Sequence, residues 1–583
     1  MHRRTYNSKT ATGGSMAHLP VPWPSAGVKN KIRNTIQAFI QRAFPDRSHP
    51  PSGNLMYYFK LTLSGLSMVL LSACSQSAAP PPDPPPNILY ILADDMGYSD
   101  IAPFGGEIET PHLDQLARDG IRFSQFYNAS RCCPTRAALL TGQYPHQAGM
   151  GCMVDWPPNA EAGPYQGYLS QGQVTIASAL KPTGYQNYMV GKWHLGEAPE
   201  HWPLQYGFDR YFGLISGASS YFELIKNQKR ERKMASGNER WEPPADKFYM
   251  TTAFSDTAVS YIQQHNPEAP FFLYLAYTAP HWPIHALEED ISLFEERYLT
   301  GWDKLARDRF TRMQSLGLIE QDLALPPKPG SIPDWDTLSK SEQREWARRM
   351  AVYAAMIYRM DVGIGQVIQA LKDKGLYERT AIVFVSDNGA TDADISRRGL
   401  NDPDVPIGRR GSYTSYLEPW AWVSNIPYQK YKKSSYWGGM RTPCIISYPK
   451  FTKGLNAISR QEGHVIDLLP TALGLAGAPV PEQYQAEGID LSPVWESQAD
   501  TLLSPGRPLF LEHMGNKAVI AGEWKLLKTT WTESWALFDL SNDPLETVDL
   551  SSEKPKKAAE LMSLYSEWEE RTQSHTLTEK HLE

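Results

Sequence analysis

Short apolar runs alternate with amphipathic stretches along most of the chain. "ILYILA" (88–93), "YMVG" (188–191), "FFLYLAYT" (271–278), "AIVFVS" (381–386) and "CIISYP" (444–449) are brief and rich in β-branched or aromatic residues. Continuous apolarity over so short a length marks strands covered on both faces, as in a mainly parallel sheet. Between them lie "PHLDQLARDGI" (111–121), "TIASALKPTG" (175–184), "VYAAMIYRMDVGIGQVIQALKDKG" (352–375) and "VIDLLPTALGLAG" (465–477), whose apolar residues fall at helical spacing. This alternation predicts an α/β sandwich: a large, mainly parallel central sheet flanked by helices. Residues 285–350 are charged, helical and punctuated by proline, and read as an insertion over one face. Beyond about 480 the pattern changes. "KAVIAGEWKLLKTT" (517–530) and "SWALFDLSNDPLE" (534–546) predict antiparallel strands, and "PKKAAELMSLYSEWEERTQ" (555–573) a closing helix. The large unit is therefore placed at 87–479 and a small C-terminal α+β subdomain with an antiparallel sheet at 480–583.

Composition narrows the picture. At 583 residues and 41% hydrophobic, the chain can bury one large core and a smaller second one. A formal net charge of -7 carries no polybasic signal, so no nucleic-acid partner is expected and any bound anion needs a local cluster. The cysteines are Cys74, Cys132, Cys133, Cys152 and Cys444, an odd and sparse set that fits neither a disulfide framework nor a zinc site.

The amino-terminal region reads as targeting. Lys60 precedes an apolar stretch, Leu61 to Ala73, too short to span a bilayer comfortably, which ends in Leu71-Ser72-Ala73-Cys74. The ending resembles a bacterial lipobox: 56–73 is a lipoprotein signal peptide, Cys74 the lipidated first residue, and 74–86 a Pro-rich tether. Ser75 and Gln76 follow, with no aspartate, which leads us to expect a lipid-anchored protein of the periplasm or cell surface, in the outer membrane of a double-membrane bacterium. A signal should open a chain, so 1–55 is expected to be an over-extended reading, disordered if made, with Met56 the start. The basic amphipathic patch "KNKIRNTIQAFIQRAF" (29–44) speaks for the opposite view.

Polar residues gather where the apolar runs stop. Asp94-Asp95 follow the first run and Asp387-Asn388-Gly389 the fourth, while Lys192 and His194 follow the second and His281 the third. In open α/β sheets, ligands bind beyond the carboxyl ends of the strands. Asp94, Asp95, Asp387 and Asn388 offer hard oxygen donors that suit Ca²⁺ or Mg²⁺. One such pair could simply cap a helix; two, at two strand ends, read as a metal site. In "NASRCCPTRAALLTG" (128–142), Pro134 suits the first turn of a helix, which puts Cys132 at an anion-favouring N-terminus. Cys132 is there either a nucleophilic thiol or a buried structural cysteine.

Cys132-Cys133-Pro134-Thr135-Arg136 with Leu140-Thr141-Gly142 resembles the signature of the type I, formylglycine-dependent sulfatases. "ADDMGYSD", "FGGEIETPHLDQLARDGIRF", "GKWHLG", "APHWP", "SDNGA" and "GGMRTP" follow the family's order, from about Asn87 to the carboxyl terminus. "GQYPHQAGMG", "APHWPIHA" and "VYAAMIYRMD" look most like bacterial arylsulfatases. The resemblance implies an alkaline-phosphatase-like fold and a sulfuric ester hydrolase. It implies conversion of Cys132 to formylglycine by a formylglycine-generating enzyme, with Cys133 at the variable position. One Ca²⁺ ion would be held by Asp94, Asp95, Asp387, Asn388 and modified Cys132. Arg136 would hold the formylglycine, and Lys192, His281 and Lys432 would bind the substrate sulfate, with Lys433 an alternative for Lys432. Trp437 departs from the pattern, because many relatives carry glutamate there.

The mechanism implied uses a hydrated aldehyde. One hydroxyl attacks sulfur with Asp387 as base, and His281 and Lys432 protonate the leaving oxygen. His194 then takes the proton of the second hydroxyl, and sulfate is expelled. Aryl sulfates or sulfated carbohydrates are the expected substrates. Rival readings are a phosphate or phosphonate ester hydrolase of the same superfamily and a non-catalytic sulfoglycan-binding lipoprotein. The aromatic stretch "GSYTSYLEPWAWVSNIPYQKY" (411–431) reads as a loop that stacks on a substrate ring, or else as a packed cover.

Overall fold

The structure, a computed structural model, describes residues 84–154, 163–227, 230–396, 399–496, 503–530, 532 and 534–575. The expected extension, signal peptide, Cys74 and nearly all of the tether lie outside these residues. Among the described residues no helix is long and apolar enough to cross a membrane.

Ten strands build the main sheet: β1 Asn87–Ala93, β2 Ile121–Phe123, β3 Gln186–Gly191, β4 Arg210–Leu214, β5 Met234–Ser236, β6 Glu239–Trp241, β7 Phe271–Ala276, β8 Thr380–Ser386, β9 Cys444–Ser447 and β10 Ala457–Ser459. Their order is β10-β2-β9-β8-β1-β7-β3-β4-β5-β6. The central strands β8, β1, β7, β3 and β4 run parallel. All seven residues of β1 and of β8 and all six of β7 are buried, and apart from Asn87, Thr380 and Ser386 at strand ends these runs are apolar. β9 was expected among the parallel strands but runs antiparallel to both β8 and β2. A strand covered on both faces looks the same in either direction, so its sequence carries no sign of polarity.

The helices fall into two packed groups. One contains α1 Pro111–Arg118, α3 Met250–Gln264 and α5 Lys340–Asp373; the other contains α2 Cys132–Thr141 and α7 Leu468–Ala476. α5 begins well before the expected 352, at a capping box in which Ser339 and Glu342 satisfy each other's backbone N–H groups. The charged segment before it contains α4 Trp302–Leu316 and is anchored by Trp302, which meets Trp335, Trp346 and Trp420 edge-on. Trp420 lies on α6 Leu417–Asn425, in the middle of the aromatic stretch. From Tyr416 onward that stretch is the packed cover of the two readings: Trp420 is fully buried and Tyr416 stacks on Tyr353 at 4.2 Å, whereas Tyr413, at its start, lines a cavity.

Residues after α7 stay with the main unit, where Tyr484 Oη donates to Gly142 O and Leu491 N to Thr471 Oγ1. A second, antiparallel sheet follows, β11 Leu509–His513, β12 Asn516–Ala521, β13 Trp524–Lys528 and β14 Ala536–Asp539, with α8 Pro555–Thr572 packed on it. β11 is the one strand here that the sequence pattern did not mark.

Candidate active site

The parallel strands end at a common edge, and the polar residues predicted there meet. Asp94 and Asp95 leave β1, Asp387 and Asn388 leave β8, Lys192 and His194 leave β3, and His281 follows β7. Asp95 has φ 66° and His194 φ 56°, left-handed values that cost non-glycine residues energy. The turn at Asp95 aims its carboxylate across the edge, toward the amide of Asn388. Close backbone approach needs glycine: a Cβ on Gly389 would sit 1.8 Å from Gly438 O, so the turn after β8 and the loop carrying Lys432 could not meet otherwise.

Three carboxylates face three fixed cations. Lys192 Nζ donates to Asp94 Oδ2 at 2.6 Å. Arg136, one turn into α2, donates from Nη2 and Nε to Asp387 Oδ2 at 2.8 and 3.1 Å, and from Nη1 to Lys192 O at 3.0 Å. Lys432 Nζ pairs with Asp95 Oδ1, which also accepts from Asn388 Nδ2 at 2.7 Å. His281 Nε2 lies 3.5 Å from Asp95 Oδ2. Lys433 is exposed, and its backbone N–H bonds Ser130 O; of the two lysines, only Lys432 reaches the cluster.

Three oxygens in this dense network accept no hydrogen bond from the described residues, although Arg136 Nη2 lies 3.6 Å from Asp94 Oδ1. They are Asp94 Oδ1, Asp95 Oδ2 and Asn388 Oδ1, all buried. Bare buried carboxylate and amide oxygens are costly unless something cationic completes them. They are the hard donors that a Ca²⁺-sized ion takes, so the residues fit such an ion. Asp387 differs: its Oδ2 serves Arg136 and its Oδ1 accepts the N–H of Asp95 at 3.2 Å. His281 joins Asp94 and Asp95 as a possible donor set, a grouping that strand-end logic alone did not single out.

Cys132 opens α2 as expected, buried beside Cys133 and His194. The hydrogen bond from Cys133, then Lys432 and Lys192, hold its pKa well below the usual thiol value despite burial. Burial pushes the Cys133 thiol up instead. Burial takes His194 and His281 down to about 3, so both imidazoles are neutral proton acceptors at rest. Burial and the neighbouring Asp94 raise Asp387 to about 8, against the pull of Arg136.

Trp437 faces away from this chemistry. It stacks on Tyr127 at 5.1 Å, and Lys525 Nζ from β13 lies 3.4 Å over its ring. Its backbone N–H donates to Glu546 Oε2 at 2.7 Å, and Glu546 also pairs with Lys525. Sequence reading did not find Lys525 or Glu546, which carry no local motif.

A cavity of about 550 Å³ lies on the Trp282 side of the edge, lined by Ser220, His285, Arg410 and Tyr413 among others. Tyr413 meets the Trp282 ring, and Trp282 in turn packs on His281 at 4.4 Å.

Comparison with known proteins gives a consistent picture. A family model described as Sulfatase matches residues 86–478. An arylsulfatase of Klebsiella aerogenes is 38% identical over 408 residues, covering 67% of this chain and 86% of its own. An uncharacterised sulfatase of Schizosaccharomyces pombe is 32% identical over 524 residues, covering 83% of this chain and 94% of its own. Among solved structures, that of Ps i-CgsB in complex with k-i-k-neocarrahexaose superimposes with a TM-score of 0.64 at 27% identity, covering 85% of this chain and 96% of the other.

Proposed function

The chain belongs to the sulfatase family and is a sulfuric ester hydrolase with an alkaline-phosphatase-like fold, and on that premise we propose that its reacting group is formylglycine made from Cys132 and that it works with one Ca²⁺ ion. The observation that carries the metal is the set of three buried oxygens that accept no hydrogen bond from the described residues, Asp94 Oδ1, Asp95 Oδ2 and Asn388 Oδ1. These residues with Asp387 would hold the ion, which supplies positive charge to the anionic ester. The hydrate of the aldehyde supplies a nucleophilic hydroxyl and a second hydroxyl through which sulfate can leave.

The chain's own residues then divide the work. Arg136 and Lys192 fix the carboxylates of Asp387 and Asp94, and Lys432 and Lys192 present positive charge to the sulfate oxygens. Three cations balance three carboxylates here, so a bound dication leaves the site net positive, as an anionic substrate requires. Asp387, ionised beside Arg136, accepts a proton from the attacking hydroxyl. Neutral His194 accepts the proton of the second hydroxyl. Lys432, on the Asp95 side, protonates the departing oxygen, and neutral His281 hydrogen-bonds to the leaving group beside it. Aryl sulfates and sulfated carbohydrates are both within the proposed substrate class: the rings from Tyr416 to Tyr431 are packed inward, and the cavity near Trp282 mixes Lys226, Arg410 and Ser412 with Leu224, Leu400 and Tyr413.

Mass analysis of natively expressed protein tests the reading. The peptide containing Cys132 should be about 18 Da lighter than the thiol form, or at its mass when hydrated, whereas ordinary thiol oxidation adds oxygen. Cys132→Ala should abolish turnover and Cys133→Ser should not. An unmodified Cys132 in active enzyme, or an aldehyde at residue 133, would overturn the proposal.

A further inference from the structure

Arg131, the residue before Cys132, is the least committed charge near the reaction centre. It is the N-cap of α2, in extended backbone with φ -154° and ψ 146°, and its side chain makes no capping bond. The guanidinium is only partly exposed. Among the described residues it has no carboxylate or carbonyl acceptor. Its Nε meets the Met153 sulfur at 3.2 Å, and its Nη1, shut off from water, has no hydrogen-bond partner among the described residues. Nearby arginines are engaged: Arg136 by Asp387 and Lys192 O, Arg441 by Tyr428 Oη. A thioether is a weak acceptor, so a half-buried guanidinium left in this state bears a desolvation cost that a ligand oxyanion would relieve.

A second such set of atoms comes from the C-terminal sheet. The β11–β12 hairpin turns through Met514 and Gly515, at φ 52° and 85°, which leaves His513 and Asn516 as a cross-strand pair. Two contacts pin the tip to the segment that follows α2: Glu512 Oε2 lies 2.8 Å from His146 Nε2, and His513 Nδ1 donates to Gly151 O at 3.3 Å. A carbonyl can only accept, so the proton of His513 is on Nδ1 and Nε2 is a bare acceptor. His513 Nε2 and Asn516 Oδ1 are both buried and have no hydrogen-bond partner among the described residues. Burial first, and then the charge of Arg131, take His513 down to about 3, and Cys132 also acts on the ring. Gly151, held by His513, and Met153, held by Arg131, are two residues apart, so the hairpin tip and the residue before Cys132 grip the same short segment.

We propose that Arg131, with His513 and Asn516, forms a substrate subsite beside Cys132 that takes a sulfated sugar carrying a second oxyanion, sulfate or carboxylate, close to the scissile ester. Arg131 donates to that oxyanion, and His513 Nε2 and Asn516 Oδ1 accept from ring hydroxyls. A simple aryl sulfate offers neither group. The subsite rests on the reading of Cys132 as the reaction centre, and it makes the C-terminal subdomain part of substrate selection.

The experiment compares wild type, Arg131→Gln and Arg131→Lys on nitrophenyl sulfate, monosulfated neutral hexoses, and their disulfated and uronate-bearing counterparts. A charge-assisted hydrogen bond to the second oxyanion predicts that Arg131→Gln lowers kcat/KM about tenfold to hundredfold on the doubly charged sugars, mainly through KM. The loss on nitrophenyl sulfate should be several-fold smaller, and Arg131→Lys should recover part of the difference. In parallel, calorimetry on the inactive Cys132→Ala protein should show the same doubly charged sugars binding, and the Cys132→Ala, Arg131→Gln double variant should lose that binding. Equal losses on every substrate, no loss on any, or binding indifferent to Arg131 would overturn the subsite. If the wild type turned over no sulfate ester, the proposed chemistry would fail, and the calorimetric arm would decide the subsite alone.

Discussion

Both carboxylate oxygens of Asp387 are in use, one by Arg136 and one by the N–H of Asp95, whereas Asp94, Asp95 and Asn388 each keep an oxygen that accepts no hydrogen bond from the described residues. Removing the Asp387 side chain would leave Arg136 buried with only Asp94, at 3.6 Å, as counter-charge. Asp387→Asn is the cleaner test, since it keeps the volume and one acceptor while deleting the base. We expect kcat to fall about 10²–10⁴-fold, the usual worth of a general base, with the melting temperature within a few degrees of wild type. Activity within a few-fold of wild type would show that Asp387 is not the base. At this scale sequence reading reached far: Cys132, Arg136, Lys192, His194, His281, Lys432 and the four oxygen donors all come together at one edge. It missed Arg131, His513 and Asn516, because a cluster assembled from a helix cap and a distant hairpin leaves no local pattern.

At the scale of elements, α5 and α1 are joined by one buried acid. Asp361, in the middle of α5, accepts the N–H groups of His112 and Leu113 at 3.1 and 2.8 Å and so caps α1 from outside its own sequence. Burial pushes its pKa up to about 7, more than these two bonds pull it down. The folded carboxyl thus holds its proton to higher pH than the unfolded one, and its contribution is present at acid pH and lost as pH rises toward 7. Asp361→Asn cannot ionise and still offers an acceptor. Its melting temperature relative to wild type should therefore rise between about pH 4 and 8; a constant difference across that range would mean that Asp361 titrates normally. The runs that became β1, β3, β7 and β8 were legible because burial on both faces demands apolar residues throughout. The short strands β2, β5, β6 and β10 were not, since three residues are too few to show a period.

Across the whole molecule, the C-terminal sheet is locked to the loop that carries Lys432. Gln429 Nε2 donates to the carbonyls of Leu545 and Glu546, Ser435 Oγ donates to Lys528 O, and Lys525 and Glu546 form an ion pair with no side-chain exposure against Trp437. Glu546→Ala would strand a buried ammonium and free the Trp437 N–H, at a cost of about 3–5 kcal/mol. We expect a clear drop in melting temperature and, because the loop loosens, weaker activity in what remains folded. A melting temperature unchanged within error would show that the pair does not hold the sheet. The anchoring proposal is tested at the same scale. Cys74→Ser should move the protein from the detergent-partitioning membrane fraction to the soluble periplasmic one, and identical fractionation would count against a lipid at Cys74.

The sequence alone determined the layer architecture, the reaction edge and the identity of nearly every group on it. Those features are written in residue types at strand ends and in one contiguous motif, Cys132 to Arg136, where local chemistry and local spacing suffice. Only the tertiary structure decided the direction of β9, the inward packing of the rings from Tyr416 to Tyr431, the choice of Lys432 over Lys433, the contact of His513 with Gly151, and the meeting of Lys525 and Glu546 against Trp437. Each depends on which surfaces meet when distant segments close on one another, and burial in a shared core places no mark on any one segment that contributes to it.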